Sequence, residues 1–285
     1  MREQLILLDF DGTLCLGDDP VLFYAEQADL LLAEKGQVPD AGGEPDAAAS
    51  PESGGIRAAV ERAFAQNTLL APEIRFDSTG WPLGVDQESI RSAAAQEAGK
   101  SKAHPTSWPL QDGYQLVQLL CVQAGLSDEE AGVAFKQGRR ELLARGLEHS
   151  DVHAPEGVAE LLAELREAAG VVLITNSPAD AFGPWLEHLG LPESFDAVIN
   201  GAQKPFGMSA AVRAAQERAG LEVDPQRIIS VGDIWRNDLE HVDAQGGITV
   251  LIDRFGTGLG EPTHRVQEWG QVPELLTGMT RVNIE

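Results

Sequence analysis

Over the second half of the chain, short apolar runs alternate with amphipathic stretches. Val-Val-Leu-Ile at 171–174, Phe-Asp-Ala-Val-Ile at 195–199, Ile-Ile-Ser-Val at 228–231 and Ile-Thr-Val-Leu-Ile at 248–252 are rich in β-branched residues. Gly, Asn, Asp or Pro bounds each run, which is the pattern of buried strands. The spacing between them predicts helices over 155–169, 178–189, 207–220 and 236–245. Strand and helix in regular succession imply right-handed crossovers and a parallel sheet covered on both faces. The apolar run at 5–8 supplies one further, central strand.

Residues 15–150 follow a different rhythm. Helical periodicity covers 20–35, 56–66, 86–98, 111–124 and 128–145, the last opened by the capping box Ser127-Asp-Glu-Glu130. No strand pattern interrupts them. Residues 36–55 are small, acidic or helix-breaking and cannot bury much, so a mobile acidic loop is expected there. The expected architecture is an α/β fold: a Rossmann-like, three-layer parallel-sheet core from residues 1–14 and 151–285, with an inserted α-helical domain at 15–150.

Composition agrees with a folded globular chain of one large domain or two smaller ones: 285 residues, 43% hydrophobic and 23% charged. A formal net charge of −24 speaks against nucleic-acid and anionic-membrane partners, because both are bound through Lys and Arg. Cys15 and Cys121 lie far apart and outside any CxxC pair, so neither a disulfide framework nor a zinc site is indicated. The N-terminal apolar run meets Asp9 too early for a signal peptide or a membrane span, and a soluble cytoplasmic protein is the expectation.

Polar residues collect at the carboxyl ends of the predicted strands, where an open parallel sheet has its ligand crevice. Leu7-Leu-Asp9-Phe-Asp11-Gly-Thr13 runs from a strand into two carboxylates one residue apart, with Gly12 allowing a sharp turn. Thr175 ends a second strand, Lys204-Pro205 follows a third, and Val231-Gly-Asp233 ends a fourth, with Asp238 five residues on. In this order the set resembles the four motifs of the haloacid dehalogenase superfamily, over residues 4–14 and roughly 150–252.

That resemblance implies a Mg²⁺-dependent phosphatase acting on a small-molecule phosphate ester. Asp9 is implied as the nucleophile that forms an aspartyl-phosphate, and Asp11 as general acid and then general base. Mg²⁺ is implied between the Asp9 carboxylate, the Asp11 carbonyl and Asp233, with Asp238 as a ligand or as the holder of a bound water. Lys204 is implied to neutralise Asp9 and phosphate, and Thr175 to bind a transferring oxygen; Thr13 and Asn176 are candidate substrate contacts. Superfamily dehalogenases lack the second aspartate, so Asp11 favours transfer from oxygen. Phosphomutase, or a silent binding or regulatory protein on the same fold, stays open. The insertion point corresponds to a cap that closes over the phosphate site and selects the leaving group.

Several residues have two readings. Asn176 and Ser177 either donate to phosphate or shape the turn before Pro178. Trp235 and Arg236 are read as structural. Lys136, Arg139 and Arg140, by their i, i+3, i+4 spacing, form a solvated helix face or an anion-recognition edge. Trp81, His104 and Trp108 either line a substrate pocket or anchor loops. Oligomeric state is not readable.

Overall fold

The computed structural model describes residues 2–36, 54–78, 82–84 and 110–281. The chain divides into two compact units, one of Met1–Gly17 with Asp151–Glu285 and the other of Asp18–Ser150.

The first unit is built on a six-stranded, wholly parallel sheet. Its strands are β1 (Gln4–Leu8), β2 (Ala169–Ile174), β3 (Ala197–Ile199), β4 (Ile228–Gly232), β5 (Ile248–Ile252) and β6 (His264–Val266), in the order β3-β2-β1-β4-β5-β6. The chain therefore steps outward from β1 to β3 on one side, then returns to β4 on the other. The reversal between β1 and β4 is the switch point at which doubly wound sheets open a crevice at their carboxyl ends. Every residue of β1, β2 and β4 is buried, as strands covered on both faces require.

One face of the sheet presents Leu5, Leu7, Val172, Ile174 and Ile228 to Met208, Ala211, Val212, Ala215 and Ala219 of the helix Met208–Ala219. Small residues at 211, 215 and 219 repeat at helical spacing and let that helix lie close to the strands. Val158–Ala168 packs on β2 and against the C-terminal helix Val272–Arg281. This is the Rossmann-like α/β architecture that the strand and helix rhythm predicts.

Departures from the expected boundaries have local causes. The helix expected from 155 begins at Val158, because Gly157 takes a left-handed conformation at its N-terminus (φ 71°). The helix expected over 178–189 is reduced to Gly183–His188, with Ala181 at positive φ just before it. The stretch expected at 236–245 is a single wide π turn, Trp235–Leu239, running into the short helix Glu240–Asp243. β6 and the C-terminal helix were not expected.

The second unit is helical among its described residues: α1 (Asp19–Glu34), α2 (Gly55–Ala65), α3 (Gly113–Gln123) and α4 (Asp128–Arg145). The predicted capping box opens α4, with the Ser127 hydroxyl accepting from the Glu130 amide (3.2 Å) and the Ser127 amide donating to the Glu130 carboxylate (2.8 Å). Asp29 of α1 caps α2 from outside, accepting from the Ile56 and Arg57 amides at 2.7 and 3.0 Å. α1 packs on α4 at Gly138, where a Cβ would come within 2.7 Å of the Tyr24 backbone nitrogen. That close approach corrects one expectation: Arg139, next to the seam, is buried over the Phe135 ring (5.9 Å), while Lys136 and Arg140 are exposed. The three basic residues share no common surface.

The expected helix at 86–98, most of the acidic loop at 36–55, and Trp81, His104 and Trp108 lie outside the described residues. No helix among the described residues is long and apolar enough to cross a membrane.

Candidate active site

The carboxyl ends of β1, β2 and β4, with the loop after β3, converge on one buried cluster. The Asp9 amide donates to the Val231 carbonyl (3.0 Å), extending the β1–β4 ladder by one residue and fixing where the Asp9 side chain starts. Lys204 arrives from the loop after β3, and its ammonium donates to Asp9 Oδ1 (2.5 Å), Asp238 Oδ1 (2.6 Å) and the Ile174 carbonyl (3.0 Å). Three acceptors match the three protons of an ammonium, so the group is fully used although only 3% of its side chain is exposed.

Asp238 is held as firmly as the lysine it faces. Its second oxygen accepts from the Ile234 amide (3.0 Å), and its carbonyl accepts from the Ser230 hydroxyl (2.7 Å). A Cβ on Gly232 would come within 2.4 Å of Asp238 Cβ, so only glycine lets the π turn fold back against β4. Trp235 is buried with Leu239 and Leu251, and Gly260 lies flat against its indole, where a Cβ would meet the ring at 2.3 Å. Its ring is core, as read from sequence. Arg236 lies over the Phe206 ring at 5.8 Å.

Carboxylate oxygens of Asp9, Asp233 and Asp238 lie within 4.8 Å of one another, and all three residues are buried. These are hard oxygen donors only, three carboxylates against the single ammonium of Lys204. Such an excess of buried negative charge is stable when a cation joins it, and a divalent cation that prefers oxygen fits both the donor type and the charge. Gly12, at φ 80°, forms one wall of this space: a Cβ there would stand 2.1 Å from Asp233 Oδ2. Gly12→Ala is therefore expected to displace the Asp233 carboxylate and to weaken divalent-cation binding by at least roughly tenfold, a loss isothermal titration would read directly.

Around this cluster stand the remaining predicted residues. Thr13 is fully buried, its hydroxyl 3.5 Å from Asp9 Oδ2. The Thr175 hydroxyl oxygen accepts from the Ser177 amide (3.0 Å). Both ends of the Asn176 amide are on the main chain of Lys204, Oδ1 accepting from its N–H (2.7 Å) and Nδ2 donating to its carbonyl (3.1 Å). Asn176 thus clamps the β2 loop to the β3 loop and sets the position from which Lys204 reaches Asp9. The Ser177 hydroxyl donates to Asp11 Oδ2 at 2.7 Å. Sequence reasoning left Ser177 between phosphate contact and turn former and missed this partnership, which links residues 166 positions apart and has no local signature.

Charge and burial oppose each other here. Burial pushes the Asp9 carboxyl up to about 7, against the pull of Lys204 and with help from Asp238 and Asp11. Burial also works against the Lys204 ammonium, yet Asp238 and Asp9 together raise it above its ordinary value. Lys204 therefore stays charged at any physiological pH, while Asp9 without further positive charge sits near its protonation boundary.

The family model for haloacid dehalogenase-like hydrolases matches residues 3–240. The chain belongs to this family. The chain is similar to several solved structures at low identity. A protein named a predicted phosphoglycolate phosphatase, from Haemophilus somnus 129pt, is 16% identical, with a TM-score of 0.50 over 96% of this chain and 98% of that one. The magnesium-bound YfnB protein of Bacillus subtilis is 17% identical, with a TM-score of 0.50 over 97% and 99%. A 2-haloacid dehalogenase from Pseudomonas syringae pv. Tomato DC3000 is 19% identical, with a TM-score of 0.45 over 98% and 99%. No curated protein sequence matches the chain. Family membership makes the cluster at Asp9 the place to look for a hydrolase's chemistry.

Proposed function

We propose that this hydrolase is a Mg²⁺-dependent phosphatase of small phosphorylated metabolites that works through an aspartyl-phosphate. The observation that carries this reading is the Lys204 ammonium shared between Asp9 and Asp238, with Asp233 beside them and a second carboxylate, Asp11, two residues beyond Asp9. A haloalkanoate dehalogenase has no use for an oxygen-donor cation site or for an acid that protonates a departing oxygen. A phosphate monoester needs both.

In the first half-reaction an Asp9 oxygen forms a bond to phosphorus while the ester P–O bond breaks, and Asp11 gives its proton to the departing oxygen. In the second, Asp11 takes a proton from the water whose oxygen attacks phosphorus. Inorganic phosphate leaves, Asp9 regains its carboxylate, and Asp11 is again protonated. Lys204 offsets charge on Asp9 and on the phosphoryl oxygens throughout, and the Thr175 hydroxyl with nearby backbone N–H groups receives those oxygens. Asp9, Asp233 and the Asp11 carbonyl are the groups assigned to Mg²⁺, with Asp238 completing the acidic set as it anchors Lys204. When bound, Mg²⁺ would supply hard positive charge to offset that of the nucleophile and the phosphoryl oxygens.

The helical unit Asp18–Ser150 is assigned the role of a cap that selects the leaving group. The two strands of chain flanking it are tied side by side, with Leu16 N donating to His153 O (2.9 Å) and His153 N to Leu16 O (3.1 Å). A small soluble phosphate ester is the assigned substrate class.

Phosphate release measured over a panel of phosphorylated metabolites tests the activity. Turnover is expected to fall roughly 10²-fold or more in EDTA and to return with excess Mg²⁺. Undiminished turnover in chelator removes the metal from the mechanism. Rearranged sugar phosphate in place of free phosphate converts the reading to a mutase.

A further inference from the structure

We infer that Ser177 is a positioning residue for Asp11: its hydroxyl fixes which oxygen of the Asp11 carboxyl faces the reacting ester. The inference rests on the phosphatase reading and adds to it a residue that the four-motif resemblance does not assign. Asp11 sits on the turn after β1, beyond the last ladder hydrogen bond, and its exposure is intermediate. Asp9 lies two residues away and Asp233 packs against Gly12, so once Asp11 has given up its proton like charge tends to drive its side chain off toward solvent. A donor on the opposite side resists that.

Ser177 is built to be such a donor. It is 1% exposed, and its main chain is anchored without help from its side chain. Its N–H donates to Thr175 Oγ1 (3.0 Å), and its carbonyl accepts from the Gly201 amide (3.0 Å) and from Asn200 Nδ2 (3.3 Å). Pro178 follows it, and a residue before proline is restricted to extended backbone, which limits where its Cβ can point. The loop is therefore rigid around a hydroxyl that donates to Asp11 Oδ2 at 2.7 Å. A hydroxyl has one proton to give. Given to Oδ2, it leaves Oδ1 as the oxygen that delivers the proton to the leaving group and later takes one from water.

The test compares two aryl esters of nearly the same size whose departing oxygens differ in basicity, phenyl phosphate and p-nitrophenyl phosphate. Nitrophenolate leaves without a proton; phenolate needs one. Ser177→Ala is expected to lower kcat/KM for phenyl phosphate roughly ten- to a hundredfold, the worth of a hydrogen bond to a charged group, and to leave p-nitrophenyl phosphate within about threefold. With p-nitrophenyl phosphate the variant should also show a burst of nitrophenolate before a slow steady state, because water attack on the aspartyl-phosphate still needs Asp11. Ser177→Thr, which keeps the hydroxyl, should restore most of the phenyl phosphate rate.

A double-mutant cycle completes the test, since Ser177→Ala should cost little more once Asp11→Asn is present. Equal losses on both esters, no loss on either, or additive losses in the cycle overturn the inference. Asp11→Asn alone separates it from the reading beneath: if that variant shows no ester-selective loss, the acid role of Asp11 fails; if it does and Ser177→Ala does not, only the Ser177 assignment fails.

Discussion

Asp9→Asn is expected to lower phosphate release roughly 10⁴-fold or more while leaving the protein folded. An amide of the same shape keeps an oxygen for the Lys204 ammonium, but it cannot form the bond to phosphorus. The stability effect carries a sign that separates loss of chemistry from loss of fold. Burial holds the Asp9 carboxyl near 7, above its ordinary value of 3.8, so the folded state binds more protons than the unfolded one between those two values. A group raised in this way destabilises progressively as pH climbs through about 4 to 7 and then levels off. In chelator, the wild-type protein should therefore lose melting temperature from pH 5 to pH 8 by more than Asp9→Asn does. Adding Mg²⁺ at pH 8 should raise the wild-type melting temperature and move the variant less. A variant that releases phosphate at a tenth of the wild-type rate or better would exclude Asp9 as nucleophile.

Lys204→Met is the second large expected effect, and it acts on stability as well as on rate. The ammonium is the shared partner of Asp9 and Asp238, both nearly closed off from water. Taking it away leaves two carboxylates buried without a counter-charge, at a cost of about 3–5 kcal/mol near pH 8, comparable to breaking other buried ion pairs. Protonation removes an unpaired buried charge, so the loss should shrink as the pH falls toward 5. Urea unfolding at the two pH values reads this directly, and an equal loss at both would assign the effect to packing. Lys204→Arg should not rescue, because a planar guanidinium cannot place one nitrogen among three acceptors that converge on a point.

Strand-forming segments were legible because burial on both faces writes a continuous apolar run. β5 matches its expected limits, Ile248–Ile252, and β1, β2 and β4 differ from theirs by one or two residues at an end. β6 was not legible: His264-Arg-Val266 is three residues long and only Val266 is buried. The N-terminus of α4 was legible through its capping box, whose chemistry is local. Asp9, Asp233, Asp238 and Lys204 stood out as polar residues at strand ends, and the structure brings all four together. What stayed hidden was pairing between loops. Nothing near Asn176 in sequence announces that its amide would clamp Lys204, and nothing near Ser177 points to Asp11. Arg139 misled for a related reason, because helical spacing describes a face but not what buries a residue on it.

The central place of β1 has a consequence for how the chain is made. It leaves the ribosome before either of its neighbours, since Leu5 pairs with Gly170 on one side and Ile228 on the other. At about 5–20 residues per second, the wait for β2 is on the order of ten to thirty seconds, and for β4 longer still. Throughout that time Gln4-Leu-Ile-Leu-Leu8 is an apolar strand with two open edges. A nascent chain stalled between the helical unit and β4 is then the form most exposed to aggregation, and mutations that weaken β4 should show first as poor yield of soluble protein rather than as a slow enzyme.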